Sequence, residues 1–162
     1  MKGSLTQPAL IGGFVMGVLS ALPIISAGNL CCCLWVVSGG VLAAYLLQQN
    51  QAEPITPGDG ALVGLLAGLF GALVQTVLSI PIGLLIGPME RQLTQRVLDM
   101  ASSMPPELRE ALERYSREGV SGPFLILTRI VEFFFWLVVG GVFSTLGGLL
   151  GASIFRKPTS PI

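Results

Sequence analysis

Long apolar runs separated by short polar stretches dominate the pattern of this chain. Four of the runs are long enough for a helix across about 30 Å of hydrocarbon, which takes roughly 20 residues. Their approximate limits are Pro8 to Ile25, Leu30 to Leu47, Gly60 to Ile86, and Leu125 to Phe155. The pattern predicts an all-α fold, an integral membrane four-helix bundle, within a single polytopic domain that spans residues 1–162.

The connections between these runs differ in length and polarity. Only Ser26 to Asn29 separates the first two runs, which predicts a tight antiparallel hairpin, and Pro23 beside it is expected to kink or end the first helix. The connector Gln48 to Gly60 contains two prolines and indicates an exposed loop with a helix start near Asp59. The third run is longer than a membrane needs, so we expect it to tilt, or to bend at Pro81.

One sizeable polar region, Gly87 to Gly122, lies between the third and fourth runs. It carries apolar residues at helical spacing with arginines and acids between them, which predicts an amphipathic helical loop of two short helices. Its five arginines and six acidic residues give no excess of positive charge, so it is not a polybasic segment that binds anionic lipid. The loop is either a solvated hairpin tied to its own bundle or a docking surface for another subunit.

Composition identifies the solvent and excludes several classes of function. The chain is 52% hydrophobic and 11% charged, whereas soluble domains have about 25% charged residues, so we expect the lipid bilayer as its surroundings. Nine basic and nine acidic residues cancel, which leaves no electrostatic case for a nucleic-acid partner. There is no histidine, the commonest metal ligand and general base, and no Walker loop, G-x-S-x-G or H-E-x-x-H motif. We therefore predict no catalytic residue, no metal site and no cofactor.

Small residues four apart recur in three of the four runs, and such spacing lets the backbones of membrane helices touch. The predicted helix-packing residues are Gly13, Gly17, Gly60, Gly64, Gly68, Gly140, Ser144 and Gly148. They serve either packing within one four-helix bundle or a glycine-zipper assembly, which would be a pore or an oligomer of many copies.

Three consecutive cysteines, Cys31 to Cys33, begin the second run. On a helix they would project about 100° apart, and without histidine or a fourth cysteine they do not close a tetrahedral metal site. We expect them to be buried as small hydrophobic residues, with a redox-sensitive or acylated thiol as the alternative.

The second run also carries the pattern N-x-C-C-x-x-W-x-x-x-G-G-x-x-A-x-Y. Its residues are Asn29, Cys31, Cys32, Trp35, Gly39, Gly40, Ala43 and Tyr45. This resembles small, uncharacterised, four-helix polytopic membrane proteins of bacteria and archaea. The resemblance covers about one helix, supports the membrane location and carries over no activity. We expect the chain to be integral to a bacterial cytoplasmic (inner) membrane. Trp35 and Tyr45 stand at the two ends of the run, where we expect them to be interfacial anchors.

Polar residues inside the apolar runs form a possible intramembrane polar site of Gln75, Arg129 and Glu132. Arg129 and Glu132 are three residues apart and can neutralise each other at the headgroup level. If the pair lies deeper, Glu132 is a candidate proton or cation relay. Gln75 would either form a hydrogen bond between helices, which contributes about 0.5–2 kcal/mol, or bind a polar solute.

Two functions follow as hypotheses. The first is a non-catalytic accessory or scaffold subunit of a larger bacterial membrane complex, with other membrane protein subunits as partners. The second is a small glycine-zipper channel or transporter, with a path lined by Gln75, Thr76 and Thr145, and with Glu132 as a further candidate. Because the polar residues are isolated and no continuous polar stripe crosses several helices, we favour the first. Basic residues lie on both sides, which leaves the membrane orientation open.

Overall fold

The described part of the chain is built from helices. The structure, a computed structural model, describes residues 4–30, 33–100, 110 and 123–157, and within these ranges it contains no strand. The elements in chain order are α1 (Thr6–Ala21), α2 (Pro23–Ser26), a 3-10 helix (Ala27–Leu30), α3 (Leu34–Gln49), α4 (Pro57–Met100) and α5 (Pro123–Ile154). The prediction of an all-α fold is confirmed.

The chain divides into two compact units. The first comprises Met1–Ser79 and Phe133–Ile162, and therefore holds α1, α2, α3, the first part of α4 and most of α5. The second comprises Ile80–Glu132, of which the structure describes the end of α4, Glu110 and the start of α5.

In the first unit, four helices pack side by side, and each contacts two neighbours. α1 lies antiparallel to α3, since Gly12 faces Ala43 while Met16 faces Gly39. α4 and α5 are likewise antiparallel to each other, whereas α1 runs parallel to α4 and α3 runs parallel to α5. Successive long helices thus alternate in direction, as expected for a bundle with short connections.

The interior of the first unit is rich in small side chains, with Met16, Leu47 and Ile55 the largest side chains fully buried there, and most of the large apolar side chains lie outside. Buried alanines are Ala9, Ala43, Ala44, Ala67, Ala72 and Ala152. Large apolar side chains on the outside include Phe14, 56% exposed, and Phe135, 61% exposed. In a water-soluble protein, large apolar side chains fill the core, so this distribution is inverted.

The turn between the first two long helices is longer than predicted. α1 ends at Ala21 because Leu22 adopts an extended conformation before Pro23, as residues before proline prefer, and the prediction that Pro23 ends the helix is confirmed. The chain then passes through α2 and the 3-10 helix. α3 consequently begins at Leu34 and not at the predicted Leu30.

α4 starts earlier than the predicted Gly60 because a capping box defines its first turn. The Thr56 hydroxyl accepts a hydrogen bond from the Asp59 backbone N–H at 3.1 Å, and the Asp59 carboxylate accepts one from the Thr56 backbone N–H at 3.1 Å. Pro57 follows as the first helical residue, where its missing N–H costs nothing.

α4 also continues beyond the predicted end at Ile86. The hydrogen-bonded helix passes through Pro81 and reaches Met100, so the first of the two short helices expected in the amphipathic loop is part of α4. The second expected helix, around residues 108–115, lies outside the described residues except for Glu110.

Two helices are long and apolar enough to cross a membrane. They are Pro57–Leu85 with 29 residues and Leu127–Ile154 with 28 residues. α1 and α3 are apolar but have 16 residues each, which is about 24 Å of helix. In the described part of the chain, length and composition therefore support two of the four predicted crossings.

The loop after α3 is held by a buried glutamine. The side chain of Gln48 is 3% exposed, its amide donates to the Glu53 carbonyl oxygen at 3.1 Å, and its oxygen accepts from the Ile55 backbone N–H at 2.9 Å. This amide supplies the hydrogen bonds that the turning backbone lacks, and so connects the end of α3 to the start of α4.

We expect Gln48→Ala to lower the free energy of unfolding by about 1–3 kcal/mol, because it leaves the buried Ile55 N–H without an acceptor. Thermal unfolding of the purified protein in mild detergent measures the change. Gln49→Ala is the matched control, since Gln49 is exposed and its amide donates to the Tyr45 hydroxyl. Equal losses for the two variants would contradict this account of the loop.

Candidate functional site

The predicted packing residues of α4 and α5 face each other in antiparallel register. The facing pairs are Gly60 with Gly148, Gly64 with Ser144, and Gly68 with Gly140. A Cβ atom on any of these three α4 glycines would overlap a backbone carbonyl oxygen of α5. Only a hydrogen atom fits, so the two backbones are in direct contact, as in close-packed membrane helices.

The predicted packing residues of α1 face α4. A Cβ on Gly13 would lie 2.5 Å from the Ala67 carbonyl oxygen, and one on Gly17 would lie 2.7 Å from the Gly71 carbonyl oxygen. Gly71 in turn accommodates the methyl group of Met16. α1 and α4 are therefore also in direct backbone contact.

α3 contributes a fourth set of glycine contacts, and its glycines were not among the predicted packing residues. Gly39 faces α1, where a Cβ would lie 2.6 Å from the Met16 Cβ, and Gly40 faces α5, where a Cβ would overlap the Ser144 carbonyl oxygen. Adjacent helical residues project about 100° apart, so one glycine pair serves two neighbouring helices. Both glycines belong to the pattern of the second run, and Ala43 and Ala44 four residues later extend the two strips. The four-residue spacing of these small residues in the second run could have predicted the contacts of Gly39 and Gly40.

Ser144 lies where three helices meet. Its side chain is fully buried, with Gly68 of α4 against its Cβ, and its backbone carbonyl faces Gly40 of α3 and Gly64 of α4. Its hydroxyl has no hydrogen-bond partner among the residues that the structure describes, which is unusual for a buried polar atom. Because the side chain is fully buried, a larger side chain at this position would have to displace its neighbours.

Asn29 and Trp35, two residues of the pattern in the second run, hold the hairpin turn through hydrogen bonds. The Asn29 amide donates to the Ser20 hydroxyl at 3.0 Å, and its oxygen accepts from the Trp35 backbone N–H at 3.2 Å. The Trp35 indole N–H donates to the Ile25 carbonyl oxygen at 2.6 Å, and its ring lies against Gly28. The indole N–H of Trp35 is thus used within the chain, and the interfacial position of this residue stays a prediction.

Cys33 is not part of the second long helix, contrary to the prediction that the three cysteines begin it. Cys33 has a left-handed backbone conformation, with φ of 53°, and precedes the first residue of α3. Its side chain is half-buried, and Cys31 and Cys32 lie outside the described residues. In the described ranges, no group of three or more His, Cys, Asp or Glu side chains is placed to bind a metal ion.

The polar residues predicted inside the membrane occupy two different environments. Gln75, in the first unit, is 8% exposed and makes no hydrogen bond with its side chain in the described structure. Arg129 and Glu132, in the second unit, form an ion pair of 2.9 Å, with side chains 64% and 48% exposed. The pair is therefore neutralised on an accessible helix surface, whereas Gln75 is largely buried.

These contacts define the class of the protein as an all-α bundle of closely packed helices, two of them long and apolar enough to cross a membrane. The chain belongs to DUF5518, a family of unknown function, which matches residues 6–103. The match covers α1 through α4 and assigns no reaction, ligand or partner. The comparisons with curated proteins and with solved structures give no match.

We expect Gly64→Ala to destabilise the protein by about 1–3 kcal/mol, because the new methyl group would overlap the backbone of α5. Gly83→Ala is the matched control in the same helix, since a Cβ at Gly83 meets no atom within 4 Å. This control should be neutral or stabilising by roughly 0.5–1 kcal/mol, because alanine favours the helix over glycine. Thermal unfolding in detergent compares the two, and a Gly64→Ala protein as stable as Gly83→Ala would exclude the backbone contact.

Proposed function

We propose that this chain is a non-catalytic integral membrane protein of the bacterial cytoplasmic membrane, in which α1, α3, α4 and α5 form a membrane-embedded four-helix bundle. It would be an accessory or scaffold subunit of a larger membrane complex. The single observation that supports this most is the inverted distribution of side chains in the first unit.

The inverted distribution has a direct energetic meaning. Side chains such as Phe14, Val77 and Phe134 are each more than half exposed, and in water each would leave its apolar surface unburied. In hydrocarbon the same exposure costs nothing, because lipid chains are as apolar as the side chains. Association of the helices must then rest on close packing, which is what the glycine contacts supply.

The glycine contacts favour a compact bundle over a pore. The glycines of α1, α3, α4 and α5 are already packed against one another within one chain. Ser144 lies fully buried at the point where three helices meet, and backbone contacts occupy its surroundings. A channel would need these helices to separate along a polar path.

The second candidate, a small channel or transporter for a polar solute, has one observation in its favour. Gln75 is buried without a hydrogen-bond partner among the described residues, and such a group is available to a solute. Its helical neighbour Thr76 donates to the Ala72 carbonyl oxygen at 2.8 Å, so the neighbouring hydroxyl is already used within the helix. A single amide does not make a continuous path.

The membrane location is tested by placing a charge on the outer surface of α5. Val142 is 53% exposed on the outside of α5. It lies midway along the bundle, at the level of Gly140 and Ser144. In lipid, Val142→Lys should cost about 2.5–3.5 kcal/mol and strongly reduce the protein recovered from membranes. In water the same change would be neutral. Ile154→Lys, at the helix end and 67% exposed, is the control, because lysine there can extend to the headgroups.

The recovery of each variant is measured by fractionation of the cells, followed by an alkaline wash of the membranes. Wild-type protein and the Ile154→Lys variant should remain in the washed membranes. A Val142→Lys protein that is soluble, stable and monomeric without detergent would contradict the membrane location.

The subunit role is tested by extraction in a gentle detergent followed by native mass spectrometry. We expect the chain to copurify with other membrane proteins in fixed stoichiometry. Exposed aromatic side chains on α5, such as Phe134 and Phe135, are the surface to vary, and Phe135→Ala should weaken the association without loss of the folded chain. A lone monomer or homo-oligomer that conducts a solute in liposomes would instead support the transporter.

A further inference from the structure

One buried side chain of the first unit carries an amide that the described structure leaves unsatisfied. The side chain of Gln75, on the inner face of α4, is 8% exposed, and neither its oxygen nor its nitrogen forms a hydrogen bond with the described residues. A glutamine amide has one acceptor and two donors, and burying it without partners costs free energy. Native structures commonly satisfy such a group with an ordered water molecule.

Space distinguishes Gln75 from Ser144, which is also buried without a partner. Among the described residues, the Ser144 hydroxyl is the side-chain polar atom that is both fully enclosed and unpartnered. The Gln75 amide is unpartnered but not enclosed in this way, so it borders space that a water molecule can reach. Because so little of the Gln75 side chain is exposed, only a small molecule has access to the amide.

Ser20 of α1 lies opposite Gln75 of α4. One turn earlier, the methyl group of Met16 lies against Gly71, and the two helices run parallel. Ser20 and Gln75 each follow this contact by four residues, which places them at the same level and on the same inner faces of their helices. Ser20 is 5% exposed. A short side chain of α1 thus faces a long side chain of α4 inside the bundle.

The hydroxyl of Ser20 is held by the turn and has one unused group. Its oxygen accepts a hydrogen bond from the Asn29 amide at 3.0 Å, and the Asn29 oxygen accepts one from the Trp35 backbone N–H at 3.2 Å. The hydroxyl proton of Ser20 has no acceptor among the described residues, and no direct hydrogen bond joins Ser20 to Gln75. A free donor on α1 therefore faces a free amide on α4 across a gap longer than a hydrogen bond.

We propose that one water molecule is bound between Ser20 and Gln75 and links α1 to α4 at the end of the bundle where α2 and the 3-10 helix lie. The water accepts a hydrogen bond from the Ser20 hydroxyl and donates one to the Gln75 amide oxygen. A buried water needs two to four polar partners, and these two side chains supply them. A larger solute would need the helices to separate, against the backbone contacts of Gly13 and Gly17 with α4.

This assignment goes beyond the scaffold role and does not depend on it. A resident water would place Gln75 in the fixed interior of the bundle. The amide would then no longer be available to a transported solute, which is the observation that favours the transporter.

The direct test is nuclear magnetic resonance of the full chain in detergent micelles. With 15N-labelled glutamine, the side-chain amide signal of Gln75 is identified by its absence in Gln75→Leu. We expect a nuclear Overhauser cross-peak between these amide protons and a water that tumbles with the protein. Ser20→Ala should lose this cross-peak. Thr76→Val is the matched control and should retain it, because the Thr76 hydroxyl donates to the Ala72 carbonyl oxygen of its own helix.

Thermal unfolding in detergent gives a second measurement of the same link. Ser20→Ala and Gln75→Leu each break one bridge, so the fall in melting temperature of the double variant should be smaller than the sum of the two single falls. The control pair is Gln75→Leu with Gln49→Ala. Gln49 is exposed and its amide donates to the Tyr45 hydroxyl, so these two falls should add.

Three results would overturn the water site. A folded wild-type protein whose Gln75 amide protons give no cross-peak to water removes the ligand. Additive falls for Ser20→Ala and Gln75→Leu remove the link between the helices. A cross-peak from the same protons to another copurified small molecule would assign the site to a solute. None of these outcomes depends on whether other subunits copurify with the chain, so the scaffold role is decided separately.

Discussion

The direct contact of helix backbones is the constraint on which the first unit depends. At Gly40, Gly64 and Gly68 a single methyl group would overlap a carbonyl oxygen of α5, so the spacing of the helices is set by atoms of the main chain. Helices this close gain dispersion energy over a long line of contacts, and Cα–H groups can approach carbonyl oxygens across the interface. Most large apolar side chains find no room between them and lie outside, while Met16, which packs against Gly71, and Leu47 are buried. The exposure of large apolar side chains is thus a consequence of the glycine contacts.

Contacts of this kind tolerate little error in register, and both ends of α3 are held accordingly. At its start, the Asn29 amide and the Trp35 indole satisfy backbone and side-chain groups of the turn. At its end, the buried Gln48 amide binds two backbone groups of the following loop. A shift of α3 by one residue would turn Gly39 and Gly40 about 100° away from α1 and α5. The polar clamps therefore fix the position along the helix axis at which the glycines meet their neighbours.

The sequence could predict the class of fold and much of the packing, because both depend on local patterns. Apolar runs predict the long helices, and glycines four apart predict the contacting faces of α1, α4 and α5. The start of α3 was not predictable in the same way, since it depends on the left-handed conformation of Cys33 and on a side-chain oxygen of Asn29. The prediction that α4 ends at Ile86 was wrong for a different reason. A fall in hydropathy near Ile86 marks where lipid would end, but a helix can continue into water as long as its hydrogen bonds do.

The use of glycines within one chain also limits what the protein can offer to other molecules. Packing faces that are already occupied are unavailable for partners, so a neighbouring subunit would have to contact the outer surface, where Phe134, Phe135 and Val138 are exposed. Such a surface can associate by shape with another apolar surface or with lipid, and it needs no rearrangement of the bundle. A transporter of the same size would instead need its interior to open, at the cost of the backbone contacts that hold the helices together. The same glycine contacts that stabilise the proposed bundle therefore favour a scaffold with a rigid interior and an adaptable exterior over a moving carrier.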